Sequence, residues 1–302
     1  MRFFSLVLIL FLSSCATKII LPTYRVTEGV LHPGQVKKLV VKKPNVGQDY
    51  QIVCRGKKLS TIDEGSDLHA YVSLPYKFME TNEERLVSCY LEGMLGHKKI
   101  SYHIYQLSVK EYPYRTTKLK VPKKYTELSK EDLERWQGEQ KTLKKVYGST
   151  IMDRKLFSVP FKRPLNSKIT ARYGNRRTFN NSTQSYHSGT DFRARKPTPI
   201  PASNDGVVVY AGFLLFNGGT VIIDHGMGIL TMYCHFSKVS AKVGDVVKQG
   251  DIVGMSGNTG RSNAPHLHWG VKVHDSWIDG LQFLKEQDLG LVSVYKNNTT
   301  KK

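Results

Sequence analysis

The 302-residue chain is short of acid, with 25 Asp and Glu against 45 Lys and Arg, a formal net charge of +20 and a sequence pI near 9.7. Such a surplus points to an anionic environment without naming it. Also missing is any apolar run of the roughly 20 residues that a membrane-spanning helix needs, which excludes a multi-spanning membrane protein. There is no basic arm, Arg-rich helix or basic patch interleaved with aromatics. Charge is spread evenly: residues 157–285 hold 15 Lys and Arg and 7 Asp, the rest 30 and 18 acids. That spread argues against nucleic acid as a partner. With 40% hydrophobic and 23% charged residues, the composition is that of a folded protein, and the length suits about two domains.

Residues 157–285 contain no glutamate. A zinc peptidase helix of the His-Glu-x-x-His type is therefore excluded there, and any general base is a histidine or one of seven aspartates.

The N-terminus has the pattern of an export signal. After Arg2, the apolar stretch Phe3 to Leu12 is too short to span a bilayer but suits the core of a secretory signal. It ends in Leu12-Ser13-Ser14-Cys15, which resembles a bacterial lipobox, so residues 1–15 read as a lipoprotein signal and Cys15 as the lipidation site. Ala16 is not the aspartate that often retains lipoproteins at an inner membrane. The resemblance therefore implies a lipid anchor on the periplasmic face of an outer membrane, where multiple acyl chains hold far more firmly than one.

Residues 20–112 alternate apolar and β-branched positions between turn signals, which predicts a small antiparallel β-sandwich-like domain. Cys54 and Cys89 lie in strand-like runs within it; they form either a disulfide in an oxidising compartment or two buried thiols. The linker, residues 113–156, carries an amphipathic helix over 129–147. Ser129 and Asp132 are at capping spacing, and Leu133, Trp136, Gln140, Leu143 and Tyr147 form a stripe to pack on a neighbouring domain. Residues 157–285 return to strand and turn, rich in glycine. A tail follows over 286–302, with a polar, frayed end from Asn297. The fold class is mainly β.

Six of the ten histidines fall between His187 and His274. His187 and Asp191 are four residues apart, and His266 and His268 are two apart, so in a strand the latter pair share a face. A catalytic zinc is usually held by three protein ligands drawn from such residues, with a position left for water. His-x-His alone is weak; joined to His-x-x-x-Asp and to His235 it is specific.

These residues lie in a run of motifs that resembles the LytM/lysostaphin-type zinc metallopeptidases of peptidase family M23. The run includes Pro164 to Gly174, Tyr186-His187-Ser188-Gly189-Thr190-Asp191-Phe192, Asp205-Gly206-Val207-Val208 and Val221-Ile222-Ile223-Asp224-His225-Gly226. It continues with Met232-Tyr233-Cys234-His235-Phe236-Ser237, Val243 to Gly250, Gly257-Asn258-Thr259-Gly260-Arg261-Ser262 and Pro265-His266-Leu267-His268-Trp269-Gly270. The resemblance covers about two fifths of the chain, in family order, and implies a LytM-type antiparallel sheet over 157–285. It also implies Zn2+ as cofactor on His187, Asp191 and His268, with His235 and His266 as catalytic histidines. His266 then assists the attacking water and His235 stabilises the oxyanion or protonates the leaving amine, although the two can exchange roles.

The implied activity is zinc-dependent endopeptidase cleavage of peptidoglycan stem-peptide cross-links, at D-alanyl–meso-diaminopimelate in a Gram-negative wall. The alternative is a non-catalytic or latent envelope lipoprotein that binds wall and activates an amidase, its groove crossed by a segment such as residues 148–160. Elsewhere, His225 reads as a structural hydrogen-bonding residue near the site and His274 as a surface residue. Asp205 and Asp224 read as turn residues or supports behind the ligands. Departures from the family pattern include Pro197, Met227, Ala264 and Cys234, none of them in the ligand set. By strand alternation Cys234 faces the core, opposite to His235.

Overall fold

The computed structural model describes residues 21–119, 128–179 and 183–296. The signal segment with Cys15 and the polar end from Asn297 lie outside the described residues. The fold is mostly β, as its strand-and-turn pattern predicts, with one long helix in the linker and one near the C-terminus.

The first unit is two sheets over one core. One sheet runs Thr27–Leu31, Lys98–Val109, Leu86–Leu95, Gln48–Cys54, Lys57–Lys58; the other runs Leu291–Ser293, Val36–Lys42, Asp67–Ser73, Thr61–Glu64. Period-two alternation sends Val87, Cys89 and Leu91 of the first sheet inward, against Leu39, Val41, Leu68, Ala70 and Val72 of the second. Most pairs are antiparallel, but Thr27–Leu31 joins Tyr105–Val109 in parallel, and Leu291–Ser293 joins Leu39–Val41 in parallel. The last of these is chain from beyond residue 285, and that residue itself lies inside the helix Gly280–Leu289.

Cys54 and Cys89 are opposite one another on adjacent strands and form a disulfide.

The linker helix, Lys130–Gly148, starts where the Ser129 side chain accepts from the Asp132 N–H at 3.1 Å. Only its C-terminal half is packed. Leu143 is buried, with Val146 and Tyr147 beside it, whereas Leu133 is 40% exposed. The following segment is pinned to the tight turn Asp224–Gly228: Ile151 N donates to Asp224 Oδ2 (2.7 Å), Met227 N to Arg154 O (3.0 Å) and Leu156 N to His225 O (3.0 Å).

The second unit is a ten-stranded antiparallel sheet whose main path is Ile169–Ala171, Thr190–Arg193, His266–Val273, Ile229–Val239, Gly218–Asp224, Gly206–Leu214, Val246–Val247. One face buries Phe192, Val221, Tyr233, Leu267, Trp269 and Val271 in the main core, closed by Phe283 of the C-terminal helix. On the other face, Leu214, Ile222, Leu230, Met232 and Cys234 lie under Leu143 of the linker helix. Asp191, His268 and Cys234 are successive cross-strand partners and so share this second face. The expectation for Cys234 is thereby corrected. It is fully buried, but on the face that carries the ligands, because alternation breaks at His235, which takes a left-handed backbone (φ 64°) where the ladder register shifts.

Since the disulfide closes a segment with a sequence separation of 35, loop-closure entropy assigns it about 4 kcal/mol of stability. Thermal unfolding with and without dithiothreitol is expected to show a lower midpoint on reduction, and Cys54→Ala/Cys89→Ala is expected to match the reduced protein.

Candidate metal centre

Adjacent strands deliver two of the three clustered side chains. Asp191 in Thr190–Arg193 sits opposite His268 in His266–Val273, and their side chains meet with Oδ1 to Nδ1 at 2.8 Å. His187 enters from the loop before Thr190, with Nε2 2.9 Å from Asp191 Oδ1 and 3.0 Å from His268 Nδ1. Gly189 permits this approach, since a Cβ there would lie 2.5 Å from the Trp269 carbonyl and 2.7 Å from His268 Nε2.

The donor set fits a cation. A carbonyl only accepts, so the contact from His187 Nδ1 to Arg172 O at 2.9 Å places the ring proton on Nδ1 and leaves Nε2 with its lone pair. A proton on His268 Nδ1 serves one of its two close neighbours at a time, whereas a cation among the three atoms engages all of them. Tetrahedral bonds of about 2.0–2.2 Å place such donors roughly 3.3–3.5 Å apart, so a few tenths of an ångström of opening suffices. Burial acts to raise the Asp191 carboxyl, but its contacts with His187 and His268 hold it well below the usual carboxylate range, so it is ionised. Burial lowers His268, keeping it neutral and able to ligate.

Two further histidines face this cluster. His266 Nε2 lies 3.7 Å from Asp191 Oδ1, while its Nδ1 donates to Ala264 O at 2.8 Å, with Ser262 Oγ at 3.1 Å. His235 donates from Nδ1 to Thr259 O at 2.8 Å, and its ring centroid is 4.7 Å from that of His266 and 6.1 Å from that of His268. Burial pushes His235 down to about 4, so it is neutral at pH 7. In each ring the Nδ1 proton is committed to a main-chain carbonyl, so in the neutral imidazole Nε2 is the nitrogen with the free lone pair. The supporting carbonyls of Arg172, Thr259 and Ala264 are invisible to a search for chemical side chains. The run Gly257 to Ser262 was the available signal for Thr259.

Other residues lie elsewhere. His225 is fully buried at the opposite end of its strand from the cluster, not near the site, with Nδ1 2.6 Å from Asp205 O and Nε2 2.7 Å from Thr231 Oγ1. His274 is half-buried rather than a plain surface residue, with its Nε2 enclosed in the turn after Val273. Asp224 bonds the Ile151 and Gly226 N–H groups, and Asp205 accepts from Gln249 N, so both serve turns. Residues 151–156 bond to the turn before Ile229, six residues from His235 and thus roughly 20 Å along a strand, so this part of 148–160 does not cross the cluster.

A carboxylate and an imidazole on paired strands, met by a second imidazole from a loop and flanked by two further histidines, form the donor set of a metal-dependent hydrolase. Residues 185–280 match the model of peptidase family M23, and the chain carries an M23 peptidase domain. It is 36% identical over 150 residues to an uncharacterized metalloprotease of Buchnera aphidicola, covering 45% of this chain and 39% of that protein. It is 41% identical over 96 residues to the peptidoglycan DD-endopeptidase ShyA of Vibrio cholerae, covering 32% and 22%. The chain thus spans well under half the length of these curated relatives. A crystal structure of an M23 peptidase from Pseudomonas aeruginosa superposes with a TM-score of 0.62 at 26% identity, over 84% of this chain and 95% of that one.

Buried neutral histidines make stability depend on pH. Burial holds His225 at about 4 against an ordinary 6.5, so between these values the unfolded chain binds a proton that the folded chain refuses. Stability is complete above about 6.5 and falls as pH drops towards 4, by about 3 kcal/mol for this one group. Urea unfolding at pH 7 and pH 4.5 is expected to show the loss, with a shallower pH slope in His225→Gln.

Proposed function

We propose that the protein is a zinc endopeptidase that cuts peptidoglycan stem-peptide cross-links, anchored to the envelope through lipid on Cys15. The observation that carries this reading is the convergence of His187 Nε2, Asp191 Oδ1 and His268 Nδ1 within 3.0 Å of one another, flanked by His235 and His266. These three residues would hold the ion. Zinc bound there supplies Lewis-acid chemistry, polarising the scissile carbonyl and making water nucleophilic near neutral pH.

The chain's own groups manage the protons. His266, its Nδ1 committed to Ala264 O, accepts the proton of the attacking water at Nε2. His235, fixed by Thr259 O, stands on the leaving-group side, and the histidine pair returns a proton to the departing amine. The relatives named as peptidoglycan endopeptidases support a wall substrate, and the D-alanyl–meso-diaminopimelate cross-link suits a periplasmic location. The net charge of +20 favours approach to an anionic wall and membrane surface. No helix among the described residues is long and apolar enough to cross a membrane. In this reading the lipid on Cys15 is the anchor.

Purified sacculi incubated with the protein from residue 20 onward and zinc are expected to release muropeptides with new stem-peptide termini. A chelator or His268→Ala abolishes them; Asp191→Ala lowers metal content; His235→Ala keeps the metal and loses at least about 100-fold in turnover. Intact sacculi pulled down with unchanged muropeptides would instead establish a wall-binding or amidase-activating role.

A further inference from the structure

Of the three clustered side chains, Asp191 and His268 stand on paired strands, but His187 stands on a loop. The turn Arg172–Asn175 brackets it: His187 Nδ1 bonds Arg172 O, His187 N donates to Asn175 O at 3.0 Å, and Gly174 N donates to His187 O at 2.8 Å. The placement of His187 is therefore only as firm as that turn.

The turn is held inside the second unit by Tyr173, whose hydroxyl donates to Trp277 O at 2.7 Å, and it is also held from outside that unit. Tyr76, in the first unit, donates its hydroxyl to Gly174 O at 3.1 Å and stacks on Tyr186 with centroids 4.1 Å apart and planes 7° apart. Tyr186 immediately precedes His187. Tyr114, in the connection after the first unit, lies directly against Gly174, whose left-handed backbone (φ 78°) and missing side chain make room. A Cβ there would be 2.1 Å from the Tyr114 ring. Tyr114 is itself tied to the first unit by its hydroxyl bond to Pro33 O at 2.8 Å. The same connection adds strand Thr116–Leu119 in parallel to Arg176–Phe179, and Arg176 reaches Glu80 of the first unit at 2.8 Å.

We propose that Tyr76 and Tyr114 are positioning residues for the metal ligand His187, so that the metal affinity of the second unit is set by the seating of the first. The proposal rests on the reading of His187, Asp191 and His268 as a zinc site. Neither tyrosine touches the metal; a group bonded directly to a ligating imidazole is worth about 10- to 100-fold in metal affinity, and the tyrosines act on that group, Arg172 O, through the turn that carries it.

The test is zinc affinity of the full protein, measured by competition with a chromogenic chelator. Tyr76→Ala and Tyr114→Ala are expected to weaken zinc binding by about 10-fold or more. Tyr76→Phe keeps the ring on Tyr186 and loses only the bond to Gly174 O, giving a smaller loss. Ile104→Val, a core change in the first unit away from this cluster, is expected to lower the unfolding midpoint and leave zinc affinity unchanged. Wild-type affinity in folded Tyr76→Ala and Tyr114→Ala would overturn the proposal, as would an equal loss in Ile104→Val. Should both alanine variants fail to fold, Tyr76→Phe decides: weakened affinity supports the proposal and unchanged affinity overturns it. A wild-type protein that binds no zinc overturns the metal reading itself, a result distinct from failure of the positioning role.

Discussion

The register between Thr190–Arg193 and His266–Val273 is the constraint on which the site depends. Asp191 meets His268 only because those two residues are paired; a slip of one position would send one of them into the core face. Trp269 and Phe192, both fully buried on that core face, resist such a slip, since it would bring these two large rings out against solvent. Hydrophobic burial on one side of the sheet thus sets the chemistry on the other.

Within this frame the site differs in rigidity from place to place. The backbones of Asp191, His268 and His266 are held by paired strands, whereas the rings of His187, His235 and His266 are oriented by main-chain carbonyls. Each such carbonyl also fixes a tautomer: it takes the Nδ1 proton and leaves Nε2 able to bind a cation or accept a proton. Turn geometry therefore governs proton placement on His187, His235 and His266.

The mainly β class, the histidine cluster and the membership of residues 185–280 in family M23 were legible because spacing and residue type encode them locally. What remained hidden depends on tertiary context. Strand alternation misplaces Cys234 because no local signal marks His235 as left-handed, and no local signal shows that the His274 Nε2 is buried in a turn whose neighbour Asp275 is exposed. The helical stripe is real in periodicity, yet Leu133 stays exposed because the sheet face it would cover ends near Leu214. The part played by Tyr76 could not be read at all, since 98 positions separate it from the carbonyl it bonds.

The strand Leu291–Ser293 returns to the first unit after the whole peptidase domain has been traversed. Lys37 and Gln282 reinforce that return, pairing with Glu286 and Val36 respectively. In order of synthesis, one sheet of the first unit gains its edge strand only after the peptidase domain that follows it in the chain has been made. Until then Val36–Lys42 exposes an unpaired edge, the kind of surface that invites wrong strands. Completion of the first unit is therefore tied to the making of the second.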